Sequence, residues 1–199
     1  RKMASKKESS FINMVVTLFM VSAIAALALG AVYNLTKEPI AIAKKKKLEA
    51  AIKIVLPEFD SITTLKVGIG DGDSLVYYIA SNHDTVIGTA IKTYSNKGFS
   101  GKIEIMVGFL PDGDIYNTAV VFQKETPGLG DKIEISKSNF PLQFKGKNPA
   151  YFKLAVTKDG GDVDAITAAT ITSRAFCDAL KRAYDSYESE EPLVMSEIK

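Results

Sequence analysis

The segment from Asp164 to Ser173, DAITAATITS, places hydroxyl side chains and small residues where a predicted strand passes into a predicted helix. The free backbone N–H groups and the dipole of a helix N-terminus favour a bound phosphate, and small side chains let a ligand approach closely. An ordinary helix cap, formed by a threonine hydroxyl, fits the same pattern, so local chemistry leaves both interpretations open. Thr167, Thr170, Thr172 and Ser173 would add hydroxyl donors to such a site.

A second unusual segment, Glu125–Gly130 (ETPGLG), directly follows a predicted strand. Its proline and two glycines fix an irregular backbone path with positions that tolerate positive φ. Glu125 and Thr126 place polar groups beside this pinched backbone. The third glycine and the βαβ setting of a dinucleotide-binding fingerprint are missing. The segment is therefore either a tight connector or a pinched site with polar groups beside it.

The side-chain inventory excludes several classes of chemistry. Cys177 is the only cysteine and His83 the only histidine, so an internal disulfide, a Cys/His metal or iron–sulfur site and a His-rich catalytic cluster are not expected. A net charge of +2 shows no nucleic-acid-binding footprint. Any redox chemistry must therefore come from a bound cofactor.

An uncharged, almost wholly apolar stretch, Phe11–Tyr33, predicts a retained transmembrane helix. At about 1.5 Å per residue it spans about 34 Å, which is enough for the hydrocarbon core. A cleaved signal peptide is the alternative, but this run is longer than a typical signal-peptide core. A short N-terminal tail before a long C-terminal domain favours an N-in, C-out anchor, although the flanking basic residues nearly balance.

Beyond the span, helical spacing of apolar residues predicts a juxtamembrane helix over Pro39–Leu56. Its Lys44–Lys47 run suits either a solvated face or contact with anionic lipid headgroups. From about Ser61 the apolar period changes to two. Strands are predicted over 75–80, 85–94, 102–109 and 114–123, with shorter ones over 152–157 and 163–166, and an amphipathic helix over Ile171–Tyr187.

These elements predict an α+β fold, in which helices pack on an antiparallel sheet behind a single membrane helix. The expected organisation is a cytoplasmic tail (1–10), the span (11–33), a juxtamembrane linker helix (34–60), an extracytoplasmic domain (61–190) and a C-terminal tail (191–199).

Taken together, the two unusual segments resemble the FMN-binding domain of RnfG, a component of the Rnf electron-transport complex. The same domain family includes one component of the sodium-translocating NADH:quinone reductase. That family carries Glu-Thr-Pro-Gly-Leu-Gly and, further on, Asp-x-x-Ser/Thr-Gly-Ala-Thr. This chain matches the second signature at Asp164, Thr167, Ala169 and Thr170, and departs from it at Ala168, where the family usually has glycine. The resemblance covers nearly the whole chain. With 199 residues, the chain suits the compact Rnf protein better than the longer component of the quinone reductase.

The resemblance implies a flavoprotein that carries FMN covalently, as a phosphoester on Thr170, on the outer face of the membrane. It implies that Thr167, Ala168, Ala169, Thr172 and Ser173 surround the phosphate and the helix start, and that Glu125, Thr126, Gly128 and Leu129 line the flavin. It implies electron transfer within a ferredoxin:NAD⁺ oxidoreductase complex that moves sodium or protons. The expected partners are the other complex subunits and, during maturation, a flavin transferase that reads Asp164. No residue of this subunit is expected to act as a general acid or base. The alternatives are the equivalent component of the quinone reductase, a flavin domain feeding another reductase, or a tethered binding or assembly module without cofactor.

Overall fold

The computed structural model describes residues 10–69, 72–83 and 85–196, with side chains described as far as Ser189. The predicted N-terminal tail, apart from Ser10, and residues 197–199 of the predicted C-terminal tail lie outside these ranges. The chain divides into two compact units, one up to residue 46 and one from residue 47 onwards.

The predicted membrane segment lies within one long helix, α1 (Phe11–Val55). Its most apolar 18 residues have a mean hydropathy of 2.5, and none of this stretch is buried against protein. The hydroxyls of Thr17 and Thr36 donate to the carbonyl oxygens of Asn13 and Val32, one turn earlier, at 2.7 and 2.8 Å. Bonded in this way, the two hydroxyls suit an apolar environment. By length and composition α1 is a candidate transmembrane helix.

The predicted start of a separate helix at Pro39 is wrong, because α1 runs through Pro39 without interruption. Proline lacks an N–H and so removes one helical hydrogen bond, but its ring holds φ near the helical value. The end of the helix at Val55 agrees with the predicted stop ahead of Pro57. The last turns of α1, from Lys47, belong to the second unit.

The second unit is built on a five-stranded antiparallel sheet in the order β1-β2-β3-β4-β5, so each strand pairs with its neighbour in the chain. The four longer predicted strands correspond to β2–β5. The edge strand β1 was not assigned from the sequence, and its residues are largely exposed. The strands are β1 (Ser61–Gly68), β2 (Ser74–Asn82), β3 (Thr85–Gly98), β4 (Gly101–Phe109) and β5 (Ile115–Phe122).

The two faces of the sheet are covered by different helices. Helix α2 (Thr170–Ser196) covers the larger core, where Phe176 and Leu180 pack with Ile105 and Phe109. The last turns of α1 cover the other face with smaller side chains, among them Ala51 and Ile52 against Ala90 and Met106. The α1 backbone comes so close to β4 that a Cβ added to Gly108 would lie 1.6 Å from the Val55 carbonyl oxygen.

The predicted strands at 152–157 and 163–166 are wrong. Only one parallel bridge, Val156 with Val163, links these segments. Gly160, with φ +75°, reverses the chain between them, and Gly161 packs against the Ala155 backbone, so a ladder has no room to extend. The connection from β5 to α2 instead contains three short 3-10 helices, Gly130–Ile133, Phe140–Phe144 and Thr157–Asp159.

Helix α2 confirms the predicted C-terminal helix and is longer than expected, since it continues to Ser196 through the start of the predicted tail. Aromatic contacts fix the irregular connection to it. The Phe176 ring lies 5.4 Å from that of Phe140 and 5.2 Å from that of Phe144, measured between centroids. The architecture is α+β, as predicted, and the aromatic contacts hold the loop that leads into α2.

Candidate functional site

Thr170 is the first residue of α2, and a loop, not a strand, precedes it. Its side chain is half-buried, and its hydroxyl has no hydrogen-bond partner within the described part of the chain. The backbone N–H groups of Thr170, Ile171 and Thr172 likewise have no acceptor there, as expected for the first turn of a helix. A free hydroxyl therefore stands beside three unsatisfied N–H donors.

Ser173, not a threonine, stabilises the start of the helix. Its fully buried hydroxyl donates to the Ala169 carbonyl oxygen at 3.0 Å and accepts from the Ile166 N–H, also at 3.0 Å. Thr167 is exposed, and its hydroxyl has no hydrogen-bond partner within the described ranges. Neither Thr167 nor Thr170 thus caps α2, so the cap interpretation is wrong for both.

The backbone just before the helix adopts a left-handed conformation. Ala168 has φ +63°, a value at which a side chain crowds its own backbone. Glycine suits this position because it has no Cβ. The Ala168 side chain adds a single methyl group, which keeps the crowding small. The turn presents Ala168 and Ala169 as small groups beside Thr170.

Glu125 is a buried carboxylate, only 5% exposed, with a protein donor on each oxygen. Thr172, in the first turn of α2, donates its hydroxyl to Oε2 at 2.5 Å. The Ser100 N–H, in the turn between β3 and β4, donates to Oε1 at 2.9 Å. A buried charge is tolerated only when it is bonded in this way, and the two bonds join three separate segments of the chain.

The glycines of the Glu125–Gly130 segment have different structural roles. Gly128 has φ +78°, which favours glycine for its conformation. A Cβ on Gly130 would lie 2.7 Å from Glu125 Oε2 and 2.8 Å from Thr172 Oγ1, so Gly130 is required for close packing against this pair. Next to it, Asp131 is 8% exposed, and its Oδ1 has no hydrogen-bond partner among the described residues.

A cavity of about 300 Å³ lies between the two unusual segments. It brings together seven of the residues predicted from the sequence: Glu125, Thr126, Leu129, Ala168, Ala169, Thr170 and Thr172. Thr167, Gly128 and Ser173 do not line it. Phe99, Gly130 and Ile171 line it but were missed, although an aromatic residue between Gly98 and Gly101, in the short connection between two predicted strands, was a usable signal for Phe99.

The loop before α2 and the first turns of the helix are held by contacts with residues that do not line the cavity. The Gln143 side chain accepts from the Asp164 backbone N–H at 2.9 Å. The exposed Asp164 carboxylate has no partner in the described structure. Arg174, one turn into α2, makes two 2.7 Å hydrogen bonds to Asp159, and this guanidinium holds the pKa of the Asp159 carboxyl below its usual range. These contacts orient the start of the helix.

The single cysteine and two further cavities lie outside this site. Burial raises the pKa of the Cys177 thiol to about 12, which makes it an inert core residue, as predicted. Two larger cavities lie away from this site. One, of about 470 Å³, is lined by α2 residues such as Lys181, and the other, of about 600 Å³, is lined by the Leu56–Asp60 connection. Neither contains a residue of the two unusual segments.

Comparison with known proteins identifies the family. Residues 98–185 match the model of the FMN-binding domain. The G subunit (RnfG) of the ion-translocating oxidoreductase complex of Aliivibrio fischeri is 34% identical over 191 residues, covering 90% of each chain. The chain belongs to the RnfG family.

Two further relatives agree. RnfG of Vibrio vulnificus is 30% identical over 174 residues, covering 82% of each chain. RnfG of Erwinia tasmaniensis is 46% identical over a shorter stretch of 108 residues, covering 53% of this chain and 51% of the relative. The resemblance to RnfG and the FMN-binding domain expected from the sequence are thereby confirmed. The FMN-binding match includes Phe99 and both unusual segments, so the cavity lies within the domain that defines this family.

Proposed function

We propose that this RnfG chain is the FMN-carrying electron-transfer subunit of a membrane-bound, ion-translocating ferredoxin:NAD⁺ oxidoreductase of the Rnf type, with the flavin joined to Thr170 by a phosphoester. The observation that carries the proposal is the Thr170 hydroxyl, which lines the cavity and, like the three N–H groups beside it, has no hydrogen-bond partner among the described residues.

The attachment chemistry follows from these groups. Thr170 Oγ1 would form the bond to the phosphorus of FMN and would pass its proton to a base of the modifying enzyme. Because a phosphate monoester is a poor acceptor, the flavin must arrive as an activated phosphoanhydride, whose other half leaves as a phosphate. A separate flavin transferase catalyses this step, since Glu125, the carboxylate in the cavity lining, already accepts from Ser100 and Thr172 and holds the site together. The feature that such an enzyme recognises is the exposed Asp164 carboxylate, which has no partner within the part of the chain that the structure describes.

The residues present fit FMN. The unbonded N–H groups of the first turn suit a phosphate, and the dipole of α2 stabilises its charge. Ala168 and Ala169 leave the backbone open to close approach. The cavity volume of about 300 Å³ lies at the lower end of the range for small-molecule sites, and its lining of Leu129, Ile171 and Phe99 suits an aromatic ring.

When bound, FMN supplies the redox chemistry, and the protein supplies position and environment. Thr170 retains the cofactor, Thr126 and Leu129 border it, and Glu125 and Thr172 hold the surrounding segments together. No side chain of this subunit needs to act as a general acid or base, so the chain is a carrier within a larger enzyme. Covalent attachment prevents loss of the flavin by diffusion.

The partners are the other subunits of the complex, reached through the candidate span Phe11–Tyr33. Residues 34–60 link this span to the flavin domain, which comprises residues 61–190. The N-terminal tail is formed by residues 1–10 and the C-terminal tail by residues 191–199. Tethering to one membrane assembly keeps the flavin at a high effective concentration near its electron donor and acceptor.

The flavin domain lies on the extracytoplasmic side. Because Cys177 is buried, with a raised thiol pKa, single introduced cysteines report topology with little background. We expect Tyr151→Cys to react with a membrane-impermeant maleimide in intact cells and Ser10→Cys only after the membrane is opened with detergent. Labelling of Ser10→Cys alone in intact cells would reverse the orientation.

The attachment is tested on a denaturing gel of the full chain, produced in cells that contain its complex and transferase. We expect a fluorescent flavin band that survives boiling, and a mass increase equal to FMN minus water on the peptide that contains Thr170. A dark band from such cells would contradict the proposal.

A further inference from the structure

We propose that Phe99 forms one wall of the flavin site and that Glu125, through its bonds to Ser100 and Thr172, holds Phe99 there without contacting the flavin ring. This inference rests on the proposed function. It assigns a ring contact to a hairpin outside the two unusual segments and makes Glu125 a positioning residue.

Phe99 occupies the turn between β3 and β4 and lines the same cavity as Thr170. Its side chain is 68% exposed. An exposed aromatic residue has no special meaning by itself, because apolar atoms make up much of any protein surface. The significance of Phe99 lies in its place on the cavity wall and in the way its turn is held.

The turn that carries Phe99 is fixed by a buried charge. Glu125 Oε1 accepts from the Ser100 N–H, directly after Phe99. A Cβ on Gly98 would lie 2.8 Å from the same oxygen and 2.3 Å from the Gly101 carbonyl oxygen. Gly101 has φ +104°. The chain therefore uses two glycines and a carboxylate to hold a four-residue turn in one conformation.

The other oxygen of Glu125 fixes this turn relative to the cofactor anchor. It accepts from the Thr172 hydroxyl, two residues beyond Thr170 in the first turn of α2. The Glu125 side chain thus connects the hairpin to the helix that begins with Thr170. Since each of its oxygens already has a protein donor, Glu125 is not needed as a hydrogen-bond acceptor for the flavin.

Phe99 suits a flavin because of its shape and chemistry. The isoalloxazine ring is flat and aromatic, and a flat aromatic side chain stacks on such rings without requiring a particular hydrogen-bond pattern. A ligand tied to Thr170 by its phosphate would place its ring system in the same cavity, and Phe99 is the aromatic side chain in the cavity lining.

The first test uses the absence of tryptophan from this chain. Indole quenches flavin fluorescence at contact, so Phe99→Trp introduces a single reporter. Tyr151→Trp is the matched control, because Tyr151 is 91% exposed and does not line the cavity. In the folded full chain we expect flavin fluorescence at least about threefold lower in Phe99→Trp than in the control, as stacking keeps the rings together. Unfolding should equalise them.

The second test separates positioning by Glu125 from an effect of its charge. In the Phe99→Trp background, Glu125→Gln keeps both hydrogen bonds, because its amide donates to Thr172 while its oxygen accepts from Ser100. We expect Glu125→Gln to retain the quenching and Glu125→Ala to lose most of it. If the alanine variant does not fold, Thr172→Val removes the Thr172–Glu125 hydrogen bond from the other side and should also reduce the quenching.

The outcomes distinguish the inference from the function on which it rests. Absence of a covalent band in the unsubstituted chain would overturn the proposed function and this inference together. A covalent band with equal fluorescence in Phe99→Trp and Tyr151→Trp would overturn the Phe99 contact alone. Undiminished quenching in both Glu125→Ala and Thr172→Val would overturn the role of Glu125.

Discussion

The two segments that border the cavity treat their polar groups in opposite ways. At the start of α2, the Thr170 hydroxyl and three N–H groups have no partner within the described residues. On the Glu125 side, both carboxylate oxygens are bonded, one of them to Thr172, two residues from Thr170. The free groups are those that the proposed function uses, whereas the bonded ones hold the site together. Two threonines in one helical turn thus have different roles, which the following substitutions separate.

The largest difference between flavin attachment and protein stability is expected for substitutions of Thr170. Thr170→Ala should remove all covalent flavin, because the attacking oxygen is gone, whereas Thr170→Ser should keep it. Since the hydroxyl has no partner, the melting temperature of flavin-free protein should change by less than about 2 °C. Gel fluorescence and thermal unfolding measure the two quantities. Covalent flavin in the alanine variant would place the anchor elsewhere.

On the bonded side, Gly130→Ala should cost about 1–3 kcal/mol of unfolding free energy, because the added methyl group must displace Glu125 and Thr172. Gly68→Ala is the control, since its Cβ would have only ordinary contact, 4.0 Å from Asp73. Denaturant unfolding of flavin-free protein gives both values. Equal stability of the two variants would show that the packing around Glu125 is loose.

Thr172→Val tests the bonded hydroxyl directly. Loss of the donor leaves a buried carboxylate oxygen unpaired, at a cost of about 1–3 kcal/mol, while Thr170 remains available for attachment. Thr172→Ser keeps the hydroxyl and should lose less. Unfolding curves and the covalent flavin band are the measurements. A stable Thr172→Val variant without flavin would reverse the roles assigned to the two threonines.

The smallest effect is expected at Ala168. Glycine there relieves a left-handed strain of roughly 1–2 kcal/mol and adds an entropic cost of roughly 0.5–1 kcal/mol. Ala168→Gly should therefore stabilise the flavin-free protein by about 0.5–1 kcal/mol and leave attachment intact, whereas Ala168→Val should destabilise it. Chemical denaturation of both variants measures the difference. A less stable glycine variant would indicate that the loop does not hold φ +63°.

Regular elements were predictable where a local period decides them. The alternation in β4 and the apolar face of α2 each imply burial on one side, and both elements are observed. The predictions failed where distant contacts decide. Val156 and Val163 are buried, but beneath a tight turn and not in a ladder. β1 is an exposed edge strand, and its pairing depends on β2.

The candidate site was predictable in its two segments but not in the contacts between them. The type and spacing of residues in Glu125–Gly130 and Asp164–Ser173 singled out seven of the residues that line the cavity. Local reasoning also suggested a threonine cap, but the structure has Ser173 bonded at the helix start and Thr170 free. Phe99 was missed because its link to the site runs through Glu125, 26 positions further along the chain.

The sequence by itself determined the apolar span, the alternating strands, the amphipathic helix and a side-chain inventory that requires a borrowed cofactor. Each of these depends on residue type and local period alone. Only the tertiary structure decided which hydroxyl is bonded and which is free, because that depends on distances between segments far apart in the chain. Thr172 reaches a carboxylate brought to it from the end of β5, while Thr170, in the same turn, faces the cavity.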